Sequence, residues 1–432
     1  MTPLSAGVYP GTLDRELAAR LLRRAAGFVA IEERDGLVGL DVTQAVARLI
    51  GGAQAGPRWQ EIHDLEEVSA DRGQLNGYRA WQLARLVESP QPFREMVTLF
   101  WLDLFAVSAL RVDALRLYHD LRSGLRERAF DSLEKVFAFA LTHPALLLNL
   151  RAPSNYRSQP QQQIGRFIVQ YVVGHDPGEK AALVADIARA YTGMFVTSGR
   201  LRVLDYEHDP GEKTVGDQTG DLRAEDVARA LARDQATIEN VVRRLFGWFV
   251  TTEVAIPQQL LATAKNVALD GRPIAEVLTV LLGWEECLKD PRYRRVKSPL
   301  EVYLAVARPF GYRATTHAAE ALAELGWDIV HPPTLAGWPR GQAWLTASQV
   351  ARHLALVRTM LSGGENWGAT SQITEALSRP DWSSRLVETL LDGALSAEAR
   401  ADWQKLAENA RDETAKKEAV AFLASLPEFQ LA

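Results

Sequence analysis

The chain has a single cysteine, Cys287, which excludes an internal disulfide and a multi-cysteine metal cluster. It has no excess of positive charge. Forty-nine basic against 54 acidic side chains leave a formal net charge of -5 over 432 residues. Nucleic-acid binding needs a basic surface that displaces counterions, so a general role on DNA or RNA is not expected. No apolar run is long enough to span a bilayer; the most apolar windows, near residues 137–150 and 277–284, are too short or too interrupted. The first ten residues lack a basic start followed by an apolar stretch. The expected location is therefore cytoplasmic, or exported if a leader preceded residue 1. Familiar catalytic signatures are missing too: no Walker phosphate loop, no dinucleotide fingerprint after a strand, no Gly-x-Ser-x-Gly elbow and no His-Glu-x-x-His.

What is there is the composition of an ordinary globular protein, 47% hydrophobic and 24% charged. Apolar residues recur at helical spacing almost throughout. In residues 13–28, Leu17, Leu21 and Leu22 share one face, with Arg20, Arg23 and Arg24 beside or opposite it. The same pattern predicts helices over 42–50, 77–87, 93–107, 114–129, 132–142, 164–173, 179–195, 224–232, 235–250, 256–268, 273–283, 300–310, 315–325 and 347–361. The tail adds 371–377, 382–391, 396–410 and 414–426. Ser396 and Asp221 are read as helix N-caps. Extended pieces are confined to 194–197 and 201–206. The predicted fold is all-α, an irregular multi-helix bundle or array with a small β-hairpin near 194–206. It is divided into one large helical domain over 13–361 and a C-terminal helical extension over 362–432 packed on it. Long loops at 151–163, 196–219, 289–298 and 328–345 are where function is expected.

Two loops carry the best polar candidates. His208-Asp-Pro-Gly-Glu-Lys213 could ligate a metal or share a proton through His208 and Asp209, with Lys213 holding an anion. Its Asp-Pro-Gly core is equally ordinary turn chemistry. The same hexapeptide occurs at residues 175–180 with different flanks, and is read as convergence on a good turn, not duplicated function. The 331–344 loop presents Trp338, Arg340 and Trp344. It could stack on a ring or clamp an acid, but a plug at the edge of a helical core is the favoured reading. The basic clusters Arg20, Arg23, Arg24 and Arg292, Arg294, Arg295, Lys297 could form anion sites, and a solvated or salt-bridged surface is the favoured reading. His63, His119, His317 and His353 stand singly on helices. Cys287 has no base partner and reads as a packed thiol.

Several segments, in order, resemble the uncharacterised family known as domain of unknown function 1800. They include residues 21–26 (Leu-Leu-Arg-Arg-Ala-Ala), 99–105 (Leu-Phe-Trp-Leu-Asp-Leu-Phe), 191–194 (Tyr-Thr-Gly-Met), 208–216 and 332–344. The likeness runs over roughly residues 13–361. It implies a helical protein with no assigned reaction. Members are often exported and often encoded beside a protein of the alkaline-phosphatase or sulfatase-like class. The departures from the family pattern are specific. Its Phe-Trp-His-Asn-His-Phe stretch reads Phe-Trp-Leu-Asp-Leu-Phe at 100–105, so both imidazoles become Leu102 and Leu104 and Asp103 is the polar side chain left. Its Asn-Glu-Asn-(Tyr/Phe)-Ala-Arg-Glu stretch aligns with 161–167. Arg166 is kept, while two later carboxylates become Phe167 and Gln170.

Divalent metals and general acid–base steps depend on imidazoles and carboxylates. The reading is therefore a non-catalytic helical binding or assembly protein, without metal or cofactor, whose expected partner is another protein, with one encoded nearby as a candidate. The alternative is a divergent metal-assisted hydrolase using His208 and Asp209 with Asp103 and Arg166.

Overall fold

The computed structural model describes residues 7–391, 393 and 395–432, and helices dominate it. Most lie within two residues of the ranges that periodicity predicts. Local chemistry sets their ends. Asp14 caps Arg15–Ala26 through the N–H of Leu17, and Gly27 closes it at φ 83°. Ser298 and Glu301 form a capping box at Pro299–Ala307, and Asp41 with Gln44 does the same at Val42–Gly51. Asp221 is not a cap, contrary to expectation. The helix there is Ala224–Leu231, and the Arg223 N–H donates to Asp226 at 2.8 Å. Asp221 is released for another use.

Two helices form the centre. Every residue of Pro92–Leu104 except Arg94 is buried, and so is every residue of Pro299–Ala307. A helix that is apolar all round must be covered all round. Arg15–Ala26, Val42–Gly51, Leu115–Glu127 and Gln235–Phe249 pack around Pro92–Leu104. Gln235–Phe249 continues through Gln258–Leu269 to Ile274–Gly283 in sequential antiparallel contact. The apolar core is contiguous from Leu13 to Phe429. Within it Trp101 is fully buried and donates its indole N–H to Ala129 O at 3.0 Å.

The tail is tied to the rest at named points. Ala347–Ser362 packs on Glu413–Ser425, and Tyr312 donates to Met360 O at 3.2 Å. The last residues lie alongside 295–297: Lys297 N donates to Gln430 O and Arg295 N to Ala432 O, both at 2.9 Å.

The expected hairpin is present as β1 (Met194–Thr197) and β2 (Arg200–Val203), paired antiparallel from Met194↔Val203 to Thr197↔Arg200. Its turn holds Ser198 at φ 50° and Gly199 at φ 72°, the doubly left-handed geometry that matches strand twist. A second hairpin, β3 (Lys213–Val215) with β4 (Gln218–Gly220), was not legible as strand. Three residues per strand carry no usable alternation. One helix departs from regular geometry: Gln162–Phe167 passes into a π-helical stretch, Ile168–Val173, where the sequence pattern predicts uninterrupted α-helix. The amide of Asn240 bonds Tyr171 O at 3.1 Å and Val172 O at 2.9 Å, and so occupies carbonyls that the wide turn exposes.

No helix among the described residues is long and apolar enough to cross a membrane.

Candidate functional site

The polar candidates gather into two separate networks, and one of them stands apart from both. The first network is the 208–213 loop. His208 is buried; its Nε2 lies 2.7 Å from Asp221 Oδ1 and its Nδ1 3.3 Å from Thr192 O. Lys213 is also buried and spends its ammonium protons on Asp209 O (2.6 Å), Gly211 O (2.8 Å) and Asp221 Oδ1 (3.1 Å). Asp209 is held by Arg189, whose Nε and Nη2 donate at 2.8 and 3.3 Å, and it also accepts the Gly211 N–H. The Arg189 hydrogen bond holds the Asp209 carboxyl at about 2, far below the usual carboxylate range. Hydrogen bonding from His208 lowers Asp221 in the same direction. The charged heads of His208, Asp209 and Lys213 are thus committed to neighbours in the fold, while Glu212 is exposed.

The twin hexapeptide at 175–180 shows what the six residues do without those neighbours. There Asp176 accepts from Gly178 N at 2.6 Å in a plain turn, and Lys180 is exposed. His175 and Lys180 line a shallow groove of about 440 Å³ shared with Asp186 and Thr214. Identical sequence gives a solvated turn at one place and a buried ionic knot at the other. Thr192, Arg189 and Asp221 make the difference.

The second network centres on Asp103. Its carboxylate is fully buried and accepts three hydrogen bonds: Trp338 N at 2.7 Å, Arg244 Nη2 at 2.9 Å and Arg340 Nη2 at 3.1 Å. Arg244 also reaches Tyr171 O at 3.3 Å on the π-helical stretch and Ala336 O at 3.4 Å in the tryptophan loop. One guanidinium therefore joins the end of Pro92–Leu104, the segment after Arg166 and the 331–344 loop. Trp338 stacks on Trp327 with centroids 5.2 Å apart and planes at 16°, and donates to Asp328 O at 3.0 Å. Trp344 packs on Trp327 at 6.2 Å, and Arg340 lies over Trp248 at 5.6 Å. Trp338 and Trp344 are both buried, as a plug requires.

Arg166 is exposed and joins neither network. No hydrogen bond or ion pair among the described residues links His208 or Asp209 directly to Asp103. Leu102 and Leu104 are fully buried, and Phe167 is buried against Tyr171 with centroids 5.6 Å apart. Three of the positions where the resemblance implies imidazoles and carboxylates, Leu102, Leu104 and Phe167, are apolar core here, and the fourth, Gln170, is exposed. Among the described residues no group of three or more His, Cys, Asp or Glu side chains is placed to hold a metal ion.

The basic clusters depart in part from the expected solvated or salt-bridged surface: Arg292 is exposed and pairs with Asp290, but others are buried. Arg20, Arg24, Arg295 and Lys297 are buried. Arg24 donates to Cys287 O at 2.8 Å and to Tyr293 O, while Arg295 pairs with Glu301. Buried guanidiniums of this kind survive by bonding backbone carbonyls, which a sequence does not display.

A third polar cluster was missed entirely. Glu95 is buried against Arg126 Nε (2.6 Å), Arg122 Nη2 (2.8 Å) and Arg85 Nη2 (3.6 Å), and Arg85 also pairs with Glu66 at 2.8 Å. Arg85 lies over Trp59 at 4.8 Å and over Trp81 at 5.1 Å. His119 accepts or donates to Tyr78 Oη at 3.0 Å beside it. The legible signal was the stripe His119, Arg122, Arg126 on one helical face, spaced three and four residues apart.

No curated protein and no solved structure gives a significant match to the chain. The model of one family, described as Protein of unknown function (DUF1800), matches residues 18–431 and so extends past residue 361 through the tail. The chain belongs to that family.

Proposed function

We propose that this protein is a non-catalytic binding or assembly member of its family, acting on another protein. One observation carries the reading: Asp103, the polar residue between Leu102 and Leu104, is buried and its carboxylate accepts from Arg244, Arg340 and the Trp338 N–H. A general base or metal ligand needs a free lone pair facing a place where substrate can sit, and a carboxylate so engaged has been turned into a fastener for the tryptophan loop. Support on the binding side comes from the β1–β2 hairpin and its flank. Val203, Tyr206 and Tyr156 are exposed there, with Tyr156 edge-on to Phe195 at 5.0 Å. Exposed aromatics grouped on one feature mark contact surfaces more often than chance placements do.

The test has two arms. The full chain, loaded with zinc, manganese or magnesium, is assayed on phosphate, sulfate and carboxylate esters; no turnover above that of the His208→Ala variant is expected. The chain is also co-expressed with the product of the adjacent gene, and the two are expected to co-elute, with the complex lost in Tyr206→Lys. Ester turnover abolished by His208→Ala would overturn the reading in favour of a divergent metal-assisted hydrolase.

A further inference from the structure

The tryptophan plug encloses a feature that the proposed function does not use. Trp248, Trp327 and Arg295 are buried, and each has a side-chain N–H, Nε1 of the indoles and Nε of the guanidinium, without a hydrogen-bond partner. All three residues line the same small cavity, whose volume is about 20 Å³. That is room for one water-sized or slightly larger sphere, since about 10–15 Å³ suffices for a water. It is far below the roughly 300 Å³ of a small-molecule pocket. Orphaned buried donors are costly and rare, so three around one void call for an acceptor there.

The charge around the void has a sign. On one side Asp103 carries two guanidiniums, Arg244 and Arg340, and Arg340 lines the cavity. On the other side Glu301 is paired with Arg295, and both line it. Three guanidiniums, Arg244, Arg340 and Arg295, thus stand against two carboxylates, Asp103 and Glu301. Glu253 is exposed and bonds Thr252 at the rim. A water accepts two hydrogen bonds and would bring no charge. A spherical anion accepts from all three donors and offsets the excess.

We propose that the cavity binds one small monovalent inorganic anion of the halide class, held by the indole N–H groups of Trp248 and Trp327 and the Nε–H of Arg295. Because Trp327 stacks on Trp338 and Arg340 lies over Trp248, such an ion would also brace the 331–344 loop.

The probe is bromide. The full chain is prepared free of chloride in gluconate and titrated with sodium bromide against sodium gluconate at matched ionic strength, with indole emission and melting temperature read. The expected result is a saturable, bromide-specific response, and a bromine anomalous peak in the cavity of bromide-soaked crystals. Trp327→Phe and Trp248→Phe keep a ring but remove one donor. Each is expected to weaken bromide about tenfold or more, the scale of a hydrogen bond to a charged group. If either variant fails to fold, the other variant and the wild-type anomalous map still decide. Water without bromine in the cavity, or a response that gluconate reproduces, would overturn the proposal.

Discussion

Asp103 and Trp338, 235 positions apart in the chain, meet through a 2.7 Å hydrogen bond from the tryptophan's backbone N–H to a fully buried carboxylate. The bond fixes the loop rather than the side chain. Gly337 is required just before it, because a Cβ there would fall 2.0 Å from Asp103 Oδ1 and its φ is 97°.

Replacing Asp103 by Ala strands Arg244 and Arg340 and frees the loop. Breaking a buried ion pair from one side costs about 3–5 kcal/mol, so urea unfolding should show a loss in that range. Indole emission should also shift to the red as Trp338 gains water. A loss below about 1 kcal/mol, the level of a surface pair, would show that the cluster does not hold the loop.

Glu95 predicts acid sensitivity. Burial alone would raise its carboxyl, but Arg126, Arg85 and Arg122 outweigh burial and hold it at about 2. A carboxyl depressed in the fold stabilises above its unfolded pKa and loses that contribution as pH falls through its folded one. Wild type should therefore lose melting temperature between about pH 4.5 and pH 2 more steeply than Glu95→Gln. At pH 7 the variant should be less stable by about 3–5 kcal/mol. Parallel pH profiles for the two proteins would contradict this.

The twin hexapeptides make a controlled comparison. Lys213→Met removes three hydrogen bonds from a side chain with no exposure and should cost about 1–3 kcal/mol. Lys180→Met alters an exposed residue and should fall within about 0.5 kcal/mol of wild type. Denaturation midpoints of the two variants measure the difference directly. Equal effects would mean that tertiary context does not separate the loops.

Cys287 should be chemically silent. It is fully buried, and burial pushes its thiol up to about 12, so little thiolate exists at neutral pH. A thiol-specific disulfide reagent should label it only in denaturant. Stoichiometric labelling of the native protein within minutes would show that the helix Glu285–Lys289 opens readily.

The helices were legible because amphipathic spacing is a local property. Residues 382–391 match the observed helix Trp382–Leu391 at both ends. The π-helical turn at Ile168–Val173 was not, because the Asn240 amide that fills its carbonyls comes from about seventy residues away. Asp103 stood out as a lone polar residue in an apolar stretch. Arg244, its main partner, did not, since an arginine on an amphipathic helix looks like surface until the fold covers it.

By itself the sequence determined an all-α chain, the β1–β2 hairpin, the tryptophan loop and the placing of Asp103 between Leu102 and Leu104. All of these rest on spacing and residue type within a few turns. Only the tertiary structure decided which charges are spent. It buried Arg20, Arg24 and Arg295, gave Asp221 to His208 and Lys213 instead of to a helix end, and separated His208 from Asp103. The physical reason is that burial of a charge depends on which distant carbonyls and carboxylates surround it, and periodicity carries no record of them.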